Sequence, residues 1–205
     1  MGCFVGMLEN DVINTEFHKE INELEQIIVH TLDKNKNVLI KGSRGYGKTF
    51  LLKRISENIR NNNTYTIYIN SKDKNAYIDF INQLLKIYQL HKNYTVFNKE
   101  ILELLLSKVN KNSKDELYIL FYYIRQIIKD ITLYSKLIVL IDDIQYQDEY
   151  IIDLITFLLK EKLYEGFNFV IAYSESLNIN FIKFIEDIKK FDFEEFKLKG
   201  ICEKI

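Results

Sequence analysis

Five short apolar runs punctuate the chain, and helical patterns separate them. NVLIKG (37–42), TYTIYIN (64–70), KLIVLIDD (136–143) and NFVIAYS (168–174) are nearly continuous, whereas EEFKLKG (194–200) alternates. Continuous runs suit parallel strands buried on both faces, and the alternating one is expected at an edge. Between them, apolar residues recur at helical spacing over 15–33, 47–60, 76–90, 98–109, 114–133, 149–163 and 177–190. Asn14 or Thr15 is the expected cap of the first helix. Strand and helix in repeated alternation predict an α/β protein, a three-layer αβα sandwich around a five-stranded parallel sheet. About 65 residues separate the second and third runs, far more than a single crossover requires. A helical insertion is therefore expected between strands 2 and 3, over about 74–135, inside one core domain spanning 1–205.

Composition narrows this picture only a little. The hydrophobic content of 47% and charged content of 28% are those of an ordinary globular chain. A net charge of −1 gives no overall attraction to nucleic acid or to an anionic membrane. Proline is absent, so turns fall to Asn, Asp, Ser and Gly, as in NNNT (61–64) and NKNSKD (110–115). Cys3 and Cys202 lack metal-ligand spacing, and a reduced, cytoplasmic protein is the expectation. No apolar run approaches the ~18 residues of a membrane span, so no membrane association is expected.

Chemistry concentrates where glycine does. Three of the seven glycines fall within residues 42–47, in Gly42-Ser43-Arg44-Gly45-Tyr46-Gly47-Lys48-Thr49. This fits G-x-x-x-x-G-K-[ST] between an apolar strand and an amphipathic helix. Such spacing lets successive backbone N–H groups surround a β-phosphate, with the following helix adding its positive end. Lys48 is placed to reach the β- and γ-phosphates, and the Thr49 hydroxyl to ligate Mg²⁺. Phe50 follows directly and counts among the nucleotide-binding candidates. The competing explanation is a glycine-rich turn that only caps a helix.

A second constellation lies at the end of the third strand. Leu137–Ile141 would deliver Asp142 and Asp143 to the carboxyl edge of the sheet, where ligands bind in open α/β folds. Asp142 would hold Mg²⁺ through water, and Asp143 would orient or deprotonate an attacking water. Acids also commonly follow a strand simply to cap the next helix.

Together, FVG (4–6), NVLIKGSRGYGKTFLLKRI, LIVLIDDIQYQDE and FVIAYSES resemble the AAA+/STAND class of P-loop ATPases, in its additional-strand branch. Members open with an FVGRE box, whereas here the box reads FVGMLEN, and Asp142 to Asp148 match their DD-x-Q-[W/F]-x-D pattern with Tyr146 at the aromatic position. The resemblance spans Phe4 to about residue 200 and implies strand order 5-1-4-3-2, with ATP and Mg²⁺ as ligands. It places Phe4 and Val5 against the adenine and makes Ser174, ending the fourth strand, a γ-phosphate sensor. It also allows Asn70, ending the second strand, to contact Asp143 and hold it off the water. A serine that merely begins a turn is the competing reading of Ser174. Family members continue into a helical lid, which this chain is expected to lack. They also carry an arginine finger before the fifth strand, but residues 177–193 hold lysines and no arginine. Hydrolysis by this chain alone is therefore expected to be slow.

Three function classes remain open. The chain is expected to be a nucleotide-dependent switch ATPase that engages a protein partner or a second copy. A nucleic-acid-handling ATPase of the initiator or clamp-loader type shares the motifs but calls for a basic surface. A pseudo-ATPase interaction module would bind nucleotide only to shape a docking surface. A small-molecule kinase is disfavoured, because such enzymes use mobile arginine-bearing lids.

Overall fold

The computed structural model describes residues 3–59, 63–72, 76–90, 114–147, 149–161, 165–175 and 178–199, with backbone alone for 3–17 and 114–116. The apolar runs form β1 (Asn37–Lys41), β2 (Thr64–Asn70), β3 (Lys136–Asp142), β4 (Phe167–Tyr173) and β5 (Phe193–Lys197). All pair in parallel, in the order β2-β3-β4-β1-β5, which is the expected 5-1-4-3-2 read from the other edge. The helices are α1 (Cys3–Asp33), α2 (Lys48–Ile59), α3 (Ala76–Leu90), α4 (Lys114–Thr132), α5 (Glu149–Lys160) and α6 (Ile179–Ile188).

Successive strand residues point to opposite faces, and the core divides accordingly. Val38, Ile40, Ile138, Leu140, Val170 and Ala172 pack toward α1 and α2, against Ile21, Ile28, Leu51 and Leu52. Leu39, Ile67, Ile69, Val139, Ile141 and Ile171 face the larger layer built from α3, α4, α5 and α6. Both faces of β3 and β4 are buried, which is why their sequences are continuously apolar. β5, at the edge, keeps the exposure expected of its alternating sequence.

Polar ties set the relative placement of these layers. Buried Glu25 on α1 pairs with Arg54 of α2 at 2.9 Å and also accepts a hydrogen bond from Asn58. At the amino ends of the strands, Asn37 Oδ1 accepts the Phe169 N–H at 2.8 Å. At the carboxyl ends, Lys41 stands beside Tyr173 and Asn70 beside Asp142 in the strand register. The ends of β1, β2, β3 and β4 thus converge on one edge of the sheet.

Three boundaries differ from the sequence reading. α1 begins at Cys3, so Asn14 and Thr15 lie inside it and do not cap it. Leu8, Val12 and Ile13 extend the helical spacing upstream, and no proline interrupts it. A cap contributes only about 1 kcal/mol, which a longer apolar repeat outweighs. α6 starts at Ile179 because the Asn178 side chain accepts the N–H groups of Asn180 at 2.9 Å and Phe181 at 3.3 Å. α5 closes at Lys160. The helix expected over 98–109 lies outside the described residues, while α3 and α4 supply the helices that flank it. Among the described residues no helix is long and apolar enough to cross a membrane.

Leu140 is fully buried on β3, between the strands that frame the sheet's centre. Leu140→Ala should lower unfolding free energy by about 2–5 kcal/mol through lost transfer energy and an unfilled cavity. Urea denaturation should show a lower midpoint at unchanged slope.

Candidate nucleotide site

The loop after β1 turns twice through left-handed backbone, at Gly45 (φ 86°) and Gly47 (φ 89°). A side chain at either position would be strained, which is the physical reason for glycine at this spacing. The Gly42 N–H donates to the Tyr173 carbonyl at 3.2 Å, fixing the loop's start against β4. Lys48, at the first position of α2, folds back under the loop. Its Nζ donates to the carbonyls of Gly42 at 2.8 Å and Ser43 at 3.0 Å, and to the Ser174 hydroxyl at 2.9 Å. Burial pushes the Lys48 ammonium below the usual lysine range, against the opposing pull of Asp143 and Asp142.

Thr49 donates its hydroxyl to Asp142 Oδ2 at 2.6 Å, and the Tyr68 hydroxyl donates to the same oxygen at 3.1 Å. Asp142 is almost fully buried, and its Oδ1 has no hydrogen-bond partner among the described residues. A buried carboxylate oxygen left open beside a threonine hydroxyl is a hard oxygen donor set. Mg²⁺ takes such a set together with phosphate oxygens and water rather than an all-protein cage. Thr49 and Asp142 fit Mg²⁺.

Asp143 leaves the strand in left-handed backbone (φ 53°, ψ 44°) and leads into a single 3₁₀ turn, Ile144–Tyr146. Aspartate tolerates this conformation better than most residues. Its Oδ2 pairs with Lys72 Nζ at 2.5 Å, and its Oδ1 accepts from Gln145 Nε2 at 3.1 Å. Burial works to raise the Asp143 pKa, but Lys72 and Gln145 outweigh it and hold the carboxyl below the usual range. Lys72 also lies 5.6 Å from the centre of the Tyr146 ring. Gln145 accepts the Ser174 N–H at 3.2 Å, so it links β4 to Asp143. Ser71 donates through its backbone and its hydroxyl to the Asp142 carbonyl, and Gln147 donates to the Ser71 hydroxyl at 2.7 Å.

The structure therefore brings Gly42, Ser43, Lys48, Thr49, Asp142, Asp143 and Ser174 together. Arg44 and Gly45 are exposed, and Tyr46 is half-buried against the α2-facing core. Phe50 is partly exposed, with its ring beside His18 and Arg54. The expected contact of Asn70 with Asp143 is not among the described hydrogen bonds. Asn70 Oδ1 instead accepts the Lys72 N–H at 3.1 Å, closing a short turn at the end of β2. That turn delivers Lys72, two residues on, to Asp143. Phe4 and Val5 lie in the first turn of α1, and their side chains fall outside the described residues. Lys72, Tyr68 and Gln145 were not singled out from the sequence. Gln145 sat within the quoted acidic motif, and Tyr68 shares the strand parity of Asn70, but Lys72 carried no signal of its own.

An AAA domain family model matches residues 31–178. No curated protein matches the chain. Among solved structures, Drosophila ORC bound to DNA aligns with TM-score 0.58 and 11% identity, over 91% of this chain and 94% of that one. Drosophila ORC bound to AT-rich DNA and Cdc6 aligns with TM-score 0.59 and 13% identity, over 97% and 60% of the two chains. The Aeropyrum pernix ORC1 protein in complex with DNA aligns with TM-score 0.50 and 17% identity, over 89% and 44%. At these identities the likeness is one of fold.

A Cβ built at Gly45 would meet no atom within 4 Å, so the site is conformationally but not sterically restrictive. Gly45→Ala should therefore cost about 1–2 kcal/mol through left-handed backbone strain alone. Thermal melting should show the loss without added nucleotide.

Proposed function

The chain belongs to the AAA domain family, and on that premise we propose that it is an ATP–Mg²⁺-binding core acting as a nucleotide-dependent switch, with slow hydrolysis of its own. The observation that carries this reading is the 2.6 Å hydrogen bond from Thr49 to Asp142, which joins the glycine loop to the end of β3. In it, residues 1–205 form one P-loop core domain with a helical insertion after β2, and the protein works in the cytoplasm. Partner engagement, by another protein or a second copy, follows the state of the γ-phosphate.

The chain's own residues divide the work. Backbone N–H groups of residues 43–49 surround the β-phosphate, and phosphate oxygens replace the carbonyls of Gly42 and Ser43 as partners of Lys48. Thr49 and Asp142 hold Mg²⁺, which neutralises phosphate charge when bound. Ser174 shares the lysine and so is placed to respond to the γ-phosphate. Asp143 is the residue that accepts the proton of the attacking water. Phe50, Phe4 and Val5 are assigned to the nucleotide side of the site.

Slow turnover has a specific cause in this reading. Both oxygens of Asp143 already carry donors, Lys72 on one and Gln145 on the other. Lys72 takes the restraining role that the family resemblance allowed for Asn70. Of the described arginines outside the glycine loop, Arg54 is committed to Glu25 and Arg125 to Glu161. A nucleic-acid partner is not favoured, since the net charge is −1.

The test is ATP–Mg²⁺ affinity by calorimetry, paired with phosphate release at saturating ATP. Wild-type protein should bind and turn over slowly, while Lys48→Ala should lose ATP binding. Equal affinity of the two would sink the reading. Lys72→Met should raise turnover about fivefold, the effect of losing one partly exposed ion pair. Asp143→Asn should bind normally and release no phosphate. A drop in turnover for Lys72→Met would show that Lys72 assists the reaction and does not restrain it.

A further inference from the structure

Among the described residues β2 is an edge strand, paired only with β3, so alternate backbone groups on its outer side lack a strand partner there. At Tyr68 those groups are taken by one side chain from the helical insertion. Gln83, on α3, accepts the Tyr68 N–H at 3.2 Å and donates to the Tyr68 carbonyl at 2.8 Å. The strand is thereby fixed at the residue whose ring lies against the α2-facing core. The Tyr68 hydroxyl emerges from that packing onto Asp142 Oδ2, the same oxygen that receives Thr49. Tyr68 lies two residues before Asn70, the register partner of Asp142, so its ring runs along the strand to reach the carboxylate.

We propose that Tyr68, held by Gln83, is the positioning residue for the metal-binding aspartate. Its hydroxyl fixes the Asp142 carboxylate so that Oδ2 stays on Thr49, and the two oxygen donors meet a cation as one preset pair. The inference rests on the Mg²⁺–nucleotide reading of the site. It also makes the insertion part of the metal site's support, through a chain from α3 to Gln83, Tyr68 and Asp142. A tyrosine present only to fill the face toward α2 would need the ring and not the hydroxyl, and this separates the two roles.

Tyr68→Phe keeps the ring and removes the donor. Nucleotide affinity should be measured by calorimetry across a Mg²⁺ titration with ATP, and with ADP in the presence of EDTA. In the variant, the Mg²⁺ concentration for half-maximal ATP binding should rise about tenfold, the usual consequence of deleting an outer partner of a metal ligand. Metal-free ADP affinity should stay at the wild-type value, and high Mg²⁺ should restore ATP binding. Gln83→Ala should shift the midpoint in the same direction by less. An unchanged Mg²⁺ midpoint in Tyr68→Phe, with wild-type binding still Mg²⁺-dependent, overturns the role of Tyr68 and leaves the functional reading intact. Wild-type affinity indifferent to Mg²⁺ overturns both.

Discussion

One hydrogen bond constrains the arrangement more than any other, the one from Thr49 to Asp142. Thr49 follows β1, Asp142 ends β3, and β4 lies between those strands. The glycine loop must therefore pass over the end of β4 to make the contact. On the way it places Lys48 on Ser174, just past the end of β4. A sheet in which β1 and β3 were neighbours would leave no strand end beneath the lysine. Strand order, loop length and the positions of the polar residues are thus parts of one geometric condition.

The paired aspartates show how neighbouring residues of one type acquire different chemistry. Asp142 remains in the strand, nearly inaccessible, with hydroxyl donors on one oxygen. Asp143 turns away through left-handed backbone and meets a lysine and an amide. Extended backbone would have sent Asp143 to the face opposite Asp142, whereas the left-handed turn sets it beside Lys72 and Gln145. Lys48 and Lys72 both interact with the pair, so two cations stand beside the two carboxylates. Added phosphate charge then needs a further cation, which is what the open oxygen of Asp142 can help to hold.

The glycine loop could be read from sequence because its requirements are local. Left-handed backbone at Gly45 and Gly47 demands glycine, and the lysine and threonine follow at fixed helical offsets. The aspartate pair was visible for the same reason, as a polar end to a run of five apolar residues, Leu137 to Ile141. Lys72 and Tyr68 were not visible, because their roles depend on the register between β2 and β3. Those strands are separated by the whole insertion, and a slip of one residue would turn Tyr68 to the opposite face. Asn70 drew attention as the last residue of β2, yet its short side chain serves the turn that carries the longer lysine to Asp143. The start of α1 was misjudged because a capping preference is weak against an uninterrupted helical repeat.

A switch needs a ligand that changes which of two arrangements is preferred, and it can act only by differential contact. Here the contacts form a continuous series. Lys48 holds Ser174, Ser174 holds Gln145, Gln145 holds Asp143, and Asp143 holds Lys72. A phosphate oxygen that takes Lys48 removes the first contact, and each later one then has a competing partner or water to answer to. The ends of β2, β3 and β4 are tied by these side chains as well as by their ladders. In the proposed reading, the same side-chain ties that hold Asp143 are the ones through which occupancy of the loop would reach Lys72 and Tyr146. Under the proposed switch reading, control of hydrolysis and communication with a partner would share one set of atoms.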